Sequence, residues 1–269
     1  MAEDWREAAS RTNRAARVDP MVPNVARVWN FLVGGRDNFD ADRQAAKQLI
    51  AAAPVMEHVA PASRAFLRRA VTYLAAEAGI TQFLDIGTGM PTAGNTHEVA
   101  QEVNPACRIV YVDNDPVVLS HARARLRSSD EGATNYLDAD ARDTATVIAG
   151  AGETLDLDKP VAVIMIDILN FLRDAGDVLA RLAAAIPPGS YLAAMQPTRD
   201  NRLSVAAQRW NELAATPVYL RDHGEFSGWF AGLEIVEPGI VEVHRWRPAP
   251  GDRDYQDGMP LLGVVARKP

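Results

Sequence analysis

The sequence predicts an α/β fold: a mostly parallel sheet covered by helices on both faces, preceded by a helical segment ending near residue 80. Three observations carry this prediction. The apolar run 82–86 ends in the turn Gly87-Thr88-Gly89, and a second run, 109–112, ends in Asp113. From residue 82 onward, apolar runs alternate with amphipathic stretches, as expected for parallel strands buried on both faces. Before residue 82 the spacing is helical.

In chain order, Val25, Val28, Trp29 and Leu32 recur at helical spacing until Gly34-Gly35 break the run. A second helix is predicted over 41–52. A third is predicted over 62–78, with Phe66, Leu67, Ala70, Val71 and Leu74 as its stripe, Pro61 and Ser63 at its start and Gly79 at its end. Strands follow at 82–86, 108–112, 134–137, 161–166 and 190–195, with helices at 95–103, 116–127 and 174–186. Pro187-Pro188-Gly189 forms a tight entry to the fifth strand. Residues 202–214 read as helix, 233–236, 241–246 and 261–266 as strands, and 247–258 as an exposed loop. The division is a helical cap or lid over 1–80 and a nucleoside-binding domain over 81–269.

Composition narrows the partners. A chain of 269 residues suits one large domain, and a net charge of −7 lacks the broad basic footprint of phosphate-backbone binding. A small-molecule substrate is expected, with no nucleic acid or membrane partner; a homodimer is compatible with the sequence, which does not fix the oligomeric state. Cys107 is the single cysteine, which excludes an intramolecular disulfide and a multi-cysteine zinc site. The charged opening, Met1 to Arg17, lacks an apolar signal core, and no run approaches the length of a membrane span, so a cytoplasmic location is expected. Scattered histidines predict no metal site, and the lone serines form no nucleophile elbow.

A Gly-x-Gly turn alone is shared by many unrelated loops, so its context decides. Thr92 stands where a dinucleotide fingerprint has its third glycine, which argues for a nucleoside without a pyrophosphate; S-adenosylmethionine is the commonest such cofactor on this architecture. The predicted cofactor residues are Asp85, Gly87, Thr88, Gly89, Asp113, Asn114, Asp140, Ala141 and Asp167. Asp113 is expected to take both ribose hydroxyls, since a carboxylate presents two acceptor oxygens to a diol. Asp115 before Pro116 is the expected cap of the next helix. Asn114 would edge the adenine, Asp140 would accept its amino hydrogens, and Ala141 would supply a backbone donor. Asp85 would face the amino acid end of the cofactor or tie its own turn.

Three stretches together extend the signal beyond the turn: Val22-Pro23-Asn24-Val25-Ala26-Arg27-Val28-Trp29-Asn30-Phe31-Leu32-Val33-Gly34-Gly35-Arg36-Asp37-Asn38-Phe39, Phe83 to Thr92, and Trp229 to Gly239. They resemble an actinobacterial family of S-adenosylmethionine-dependent methyltransferases long catalogued as a domain of unknown function. The resemblance implies a class I methyltransferase fold, a Rossmann-like three-layer sandwich with seven strands, six parallel and one antiparallel, under an N-terminal helical cap. It implies no substrate. Where members of that family are expected to read Ala-Val-Leu-His-Phe after the fourth strand, this chain reads Asp167-Ile168-Leu169-Asn170-Phe171.

Asn170 cannot serve as a base near neutral pH, whereas Asp167 places a carboxylate at the mouth of the site, as a base, a holder of a cationic substrate, or a cap on the following helix. Asp167, Asn170 and His97 are therefore the catalytic candidates. Arg27, Trp29, Phe31, Arg36, Asn38 and Phe39 are the candidate lid and substrate residues, with Arg27, Arg36 and Asn38 suited to a carboxylate. The expected function is methyl transfer to a small molecule, in the setting of actinobacterial specialised metabolism. The alternatives are a regulatory protein that retains the cofactor pocket without turnover, and a nicotinamide-dependent oxidoreductase, which Thr92 disfavours.

Overall fold

The computed structural model describes residues 19–125, 127–255 and 258–269. The first 18 residues of the predicted cap, residue 126 near the end of the helix predicted over 116–127, and residues 256–257 of the predicted loop lie outside the described residues. Three helices precede the sheet: α1 (Val25–Leu32), α2 (Asp40–Ala52) and α3 (Met56–Ala76). The Asn24 side chain accepts from the Ala26 and Arg27 amides and starts α1; Gly34, at φ 81°, ends it. The third helix begins at Met56 and not near residue 62, with Pro61 inside it. Met56, Val59 and Ala60 are buried, and that burial outweighs the bond proline cannot donate.

The sheet contains β1 (Gln82–Ile86), β2 (Arg108–Asp113), β3 (Ala133–Asp138), β4 (Ala162–Met165), β5 (Tyr191–Pro197), β6 (Glu234–Ile235), β7 (Val241–Glu242) and β8 (Leu261–Arg267). Its order is β3-β2-β1-β4-β5-β8-β6, with β7 also on β8. The first five are parallel, and β8 runs antiparallel to β5. Both β6 and β7 pair antiparallel with β8, so they fill one strand position that the loop through Pro238-Gly239 interrupts. The strand predicted over 241–246 stops at Glu242 because Val243–Arg245 form a 3-10 turn beneath α3. There the Arg69 guanidinium donates to the Val243 and Trp246 carbonyls at 2.5 and 2.8 Å, and Trp246 is fully buried against Phe66 and Tyr73.

The connecting helices are α4 (Thr96–Val103), α5 (Pro116–Arg125), α6 (Thr144–Ala151), α7 (Ala175–Ala185), α8 (Asn201–Leu213) and α9 (His223–Gly228), with a 3-10 turn at Leu169–Phe171. Alternate residues of each strand feed opposite cores, so Phe83, Ile109 and Tyr111 pack with Val28, Phe66 and Leu74, while Leu84, Val110 and Val163 pack with Val178, Leu179 and Leu182. Helices α1–α3 thus share a core with one face of the sheet. Cys107 belongs to that core, and burial pushes its thiol up to about 11, which makes it inert. Among the described residues, no helix is long and apolar enough to cross a membrane.

Candidate cofactor and acceptor site

Beyond the carboxyl ends of β1, β2, β3 and β4 lies a crevice of about 470 Å³, next to the point where the strand order reverses. Open α/β sheets bind ligands at this place because the two halves of the chain diverge there. The glycine turn forms its floor. Gly87 and Gly89 adopt φ 76° and 65°, and a Cβ on Gly87 would stand 2.6 Å from the Ile168 side chain. The turn amides, however, are engaged within the fold: those of Gly87 and Thr88 donate to the Val112 carbonyl at 2.9 and 3.3 Å, and that of Gly89 donates to Asp113 Oδ2 at 2.9 Å. The turn therefore supplies close approach, and the ligand-facing polarity comes from side chains.

Asp113 closes the second side. Its Oδ1 accepts from the Asp115 amide at 2.9 Å, and burial pushes the carboxyl up to about 6 against the opposing backbone bonds. Each oxygen retains a second lone pair for a diol. Asp115 caps α5 by accepting from Val117. Asn114, Asp140 and Ala141 line the same wall. The Arg142 side chain grips both Asp140 oxygens, at 2.9 and 2.5 Å, and with a bond from Asn114 holds that carboxyl below the usual range.

Asp85 faces α4, where the Thr96 hydroxyl donates to its Oδ2 at 2.6 Å. Burial raises its carboxyl to about 6, opposed by Thr96 and by Arg64. Arg64, on α3, donates to the Gly94 and Ala93 carbonyls at 2.7 and 3.2 Å and lies near Asp85 and Asp167. Arg64 escapes a sequence reading because no motif marks it; it stands only as a basic residue beside the apolar stripe of its helix. In the lining of the crevice it sets a guanidinium near the Asp85 carboxylate, and a zwitterionic amino acid requires two such charges.

Asp167 sits at φ 62°, a conformation rare for a residue with a side chain. Its carboxylate does not cap the 3-10 turn. Oδ2 accepts from the Trp29 indole at 2.8 Å, and Oδ1 lies 3.0 Å from the Ser63 hydroxyl. Burial pushes this carboxyl up to about 7, against the bonds from Trp29 and Ser63 and the nearby Arg64. Ser63 Oγ also lies 2.9 Å from the Val59 carbonyl. The Ser63 hydroxyl has one proton, which it can donate to the Val59 carbonyl or to Asp167 Oδ1.

Of the predicted lid residues, Trp29 lines the crevice and the others do not. The Arg27 side chain is buried in an ion pair with Asp42 at 2.8 Å, donates to the Val22 carbonyl, and packs over Phe39, so it ties α1 to α2 and is not available to a carboxylate ligand. Asn38 donates to Asn30 Oδ1 and the Gly35 carbonyl, knitting the turn after α1. Phe31 packs into the core beneath the cap, and Arg36 is exposed outside the crevice.

Two catalytic candidates also fall elsewhere. His97 is 2 % exposed and turns away from the crevice, its Nδ1 2.8 Å from the Tyr111 hydroxyl, because the first turn of α4 aims Thr96 and not His97 at Asp85. Burial lowers its imidazole, leaving it a neutral packing residue. Asn170 is 3 % exposed and lines a separate small cavity behind Trp29. Among the described residues, no group of three or more acids, histidines or cysteines could hold a metal ion.

This fold is that of a class I methyltransferase, with the Asp113 carboxylate at the end of β2, Asp85 near the end of β1 with Arg64 of α3 close by, and the glycine turn at the floor of the crevice between them. A family model described as S-adenosyl methyltransferase matches residues 11–269, and the chain belongs to that family. Its cofactor is S-adenosylmethionine. A DUF574 family protein of Streptomyces avermitilis is 41 % identical over 94 % of this chain and 100 % of its own, with a TM-score of 0.90. A proposed methyltransferase of Thermobifida fusca is 36 % identical over 92 % of this chain and 96 % of its own, with a TM-score of 0.84. At 14 % identity, the magnesium protoporphyrin IX methyltransferase of Synechocystis, solved with bound S-adenosylhomocysteine, covers 90 % of this chain and 93 % of its own with a TM-score of 0.55, a likeness of fold. No curated protein matches the sequence.

Proposed function

We propose that the chain methylates a small-molecule acceptor in actinobacterial specialised metabolism, with α1 and the turn after it as the lid and Asp167 as the group that receives the acceptor's proton. When bound, the cofactor supplies an electrophilic methyl group whose carbon–sulfur bond breaks as the acceptor's lone pair attacks. The residues present fit it: the Gly87 floor would be closed by a Cβ, Asp113 offers two oxygens to the ribose, and Arg64 and Asp85 face the carboxylate and ammonium. Asn114, Asp140 and Ala141 would hold the base.

The observation that carries the reading is the placement of the Asp167 carboxylate in the crevice lining, 2.8 Å from the Trp29 indole nitrogen, where burial pushes it up to about 7. A base near the working pH combines the ionised form with a useful affinity for the proton. Trp29 and Ser63 orient it, and positioning of the acceptor for in-line attack can contribute most of the rate in methyl transfer. The net charge of −7 and the concave site support a metabolite and not a nucleic acid or membrane acceptor. The test is mass spectrometry on an actinobacterial extract incubated with the protein and methyl-labelled cofactor. Label in a metabolite is expected. Label only in protein or nucleic acid, or in nothing, overturns the proposal.

A further inference from the structure

Val25, Ala26, Trp29 and Asn30 of α1 line the cofactor crevice, at the spacing of one helix face. The Trp29 indole proton goes to Asp167, which leaves Asn30 Nδ2 as the free side-chain donor of that face. Asn30 is 2 % exposed, and its Oδ1 accepts from the Asp37 amide at 3.0 Å and from Asn38 Nδ2 at 2.9 Å. Two donors on one oxygen fix which end of the carboxamide is which. Nδ2 makes no hydrogen bond to the described residues, and it is not sealed as the unpartnered Asn170 Oδ1 is, so its open surface faces the crevice that Asn30 lines. Gly35 packs against the same carboxamide, where a Cβ would overlap it, and so holds that orientation.

A ligand that fills the crevice expels the water from this donor and must bring an acceptor in its place. The cofactor's ribose meets Asp113 and its base meets the wall of Asn114, Asp140 and Ala141, which leaves the amino acid end. A carboxylate there has about four lone-pair sites to satisfy. The amides of Gly87, Thr88 and Gly89 are engaged within the fold, and Arg64 Nη2 already donates to the Gly94 and Ala93 carbonyls. We propose that Asn30 is a cofactor-binding residue, donating through Nδ2 to the carboxylate of the methionine end together with Arg64. The contact rests on the cofactor assignment in the reading above and not on the acceptor. It also joins ligand to lid, because a bond at Nδ2 polarises the carboxamide and strengthens the two at Oδ1 that hold the turn after α1.

The probes are S-adenosylhomocysteine and its analogue with hydrogen in place of the carboxylate, each titrated into the full chain by calorimetry. The native chain should prefer S-adenosylhomocysteine by at least about tenfold. Asn30→Asp, whose folding is checked by its melting temperature, keeps an oxygen for Asp37 and Asn38 but turns a second carboxylate oxygen on the ligand. It should weaken S-adenosylhomocysteine about thirtyfold and leave the analogue within about threefold. A merely structural role would lower both ligands alike. Equal losses, an unchanged affinity for S-adenosylhomocysteine, or a native chain that binds the two equally overturns the contact. Hydrogen exchange on the native chain needs no variant: S-adenosylhomocysteine should slow the Asp37 amide at least about threefold more than the analogue does. Equal protection by the two also overturns the contact. No acceptor enters these measurements, so their failure leaves label transfer in the extract standing, and failed label transfer leaves the contact standing.

Discussion

The indole nitrogen of Trp29 donates to Asp167 Oδ2 across 2.8 Å, joining residues 138 positions apart. This bond seats α1 on the mouth of β4 and orients a carboxylate that lines the cofactor crevice.

Replacing Asp167 with asparagine mimics the protonated acid: its carbonyl accepts from Trp29 and its amide donates to Ser63. The carboxyl is raised from 3.8 to about 7 on folding, so the folded chain holds this proton more tightly than the unfolded chain does. That stabilisation is complete below about pH 4 and is lost as pH rises through about 7. Asp167→Asn should therefore melt several degrees above the native chain at pH 8, by roughly 2–4 °C per kcal/mol, with a smaller gap at pH 5. Label transfer in the extract assay should fall about a hundredfold and lose its rise through pH 7. Equal melting at pH 8 contradicts the raised carboxyl, and unchanged transfer contradicts the base.

Asp113→Ala should weaken S-adenosylhomocysteine binding at least about tenfold in calorimetry, since the loss removes both diol bonds and frees the Gly89 amide. In the native chain the same affinity should be lower at pH 5 than at pH 8, because this carboxyl titrates at about 6. Affinity indifferent to both changes would remove Asp113 from the site.

Arg64→Met keeps the aliphatic stem and removes the charge. S-adenosylhomocysteine should bind about tenfold or more weakly, while adenosine, which lacks the amino acid, should lose little. An equal loss for both ligands would show that Arg64 only shapes the loop through Ala93 and Gly94.

Arg27→Met should destabilise the chain by about 3–5 kcal/mol, because Asp42, which still accepts from the Asn24 and Phe39 amides, is left buried without its counter-charge. Chemical denaturation measures this. A loss under 1 kcal/mol would mean that the carboxylate finds another partner.

The strands and the glycine turn were legible in the sequence because a buried parallel sheet writes itself as short apolar runs, and β1 begins and ends where its run does. Asp113 was legible for the same reason, as the polar residue terminating such a run. Pro61 misled: it marks helix starts on average, but here burial of Met56 and Val59 extends α3 by a further turn and more. Helices α6 and α9 lack a stripe long enough to announce them. His97 failed as a catalytic candidate because a place in the first turn of a helix does not state which face looks inward; Thr96 took that direction. Arg64 and the bond from Trp29 to Asp167 depend on how helices α1 and α3 cross the sheet, which no local spacing encodes.

The interrupted strand position beyond β8 bears on how these molecules coexist at high concentration. Two residues of β6 and two of β7, parted by a loop, leave no continuous row of unpaired amides on that side. A neighbouring chain has nothing there to zip onto, so the antiparallel border of the sheet is guarded against runaway association by its own discontinuity.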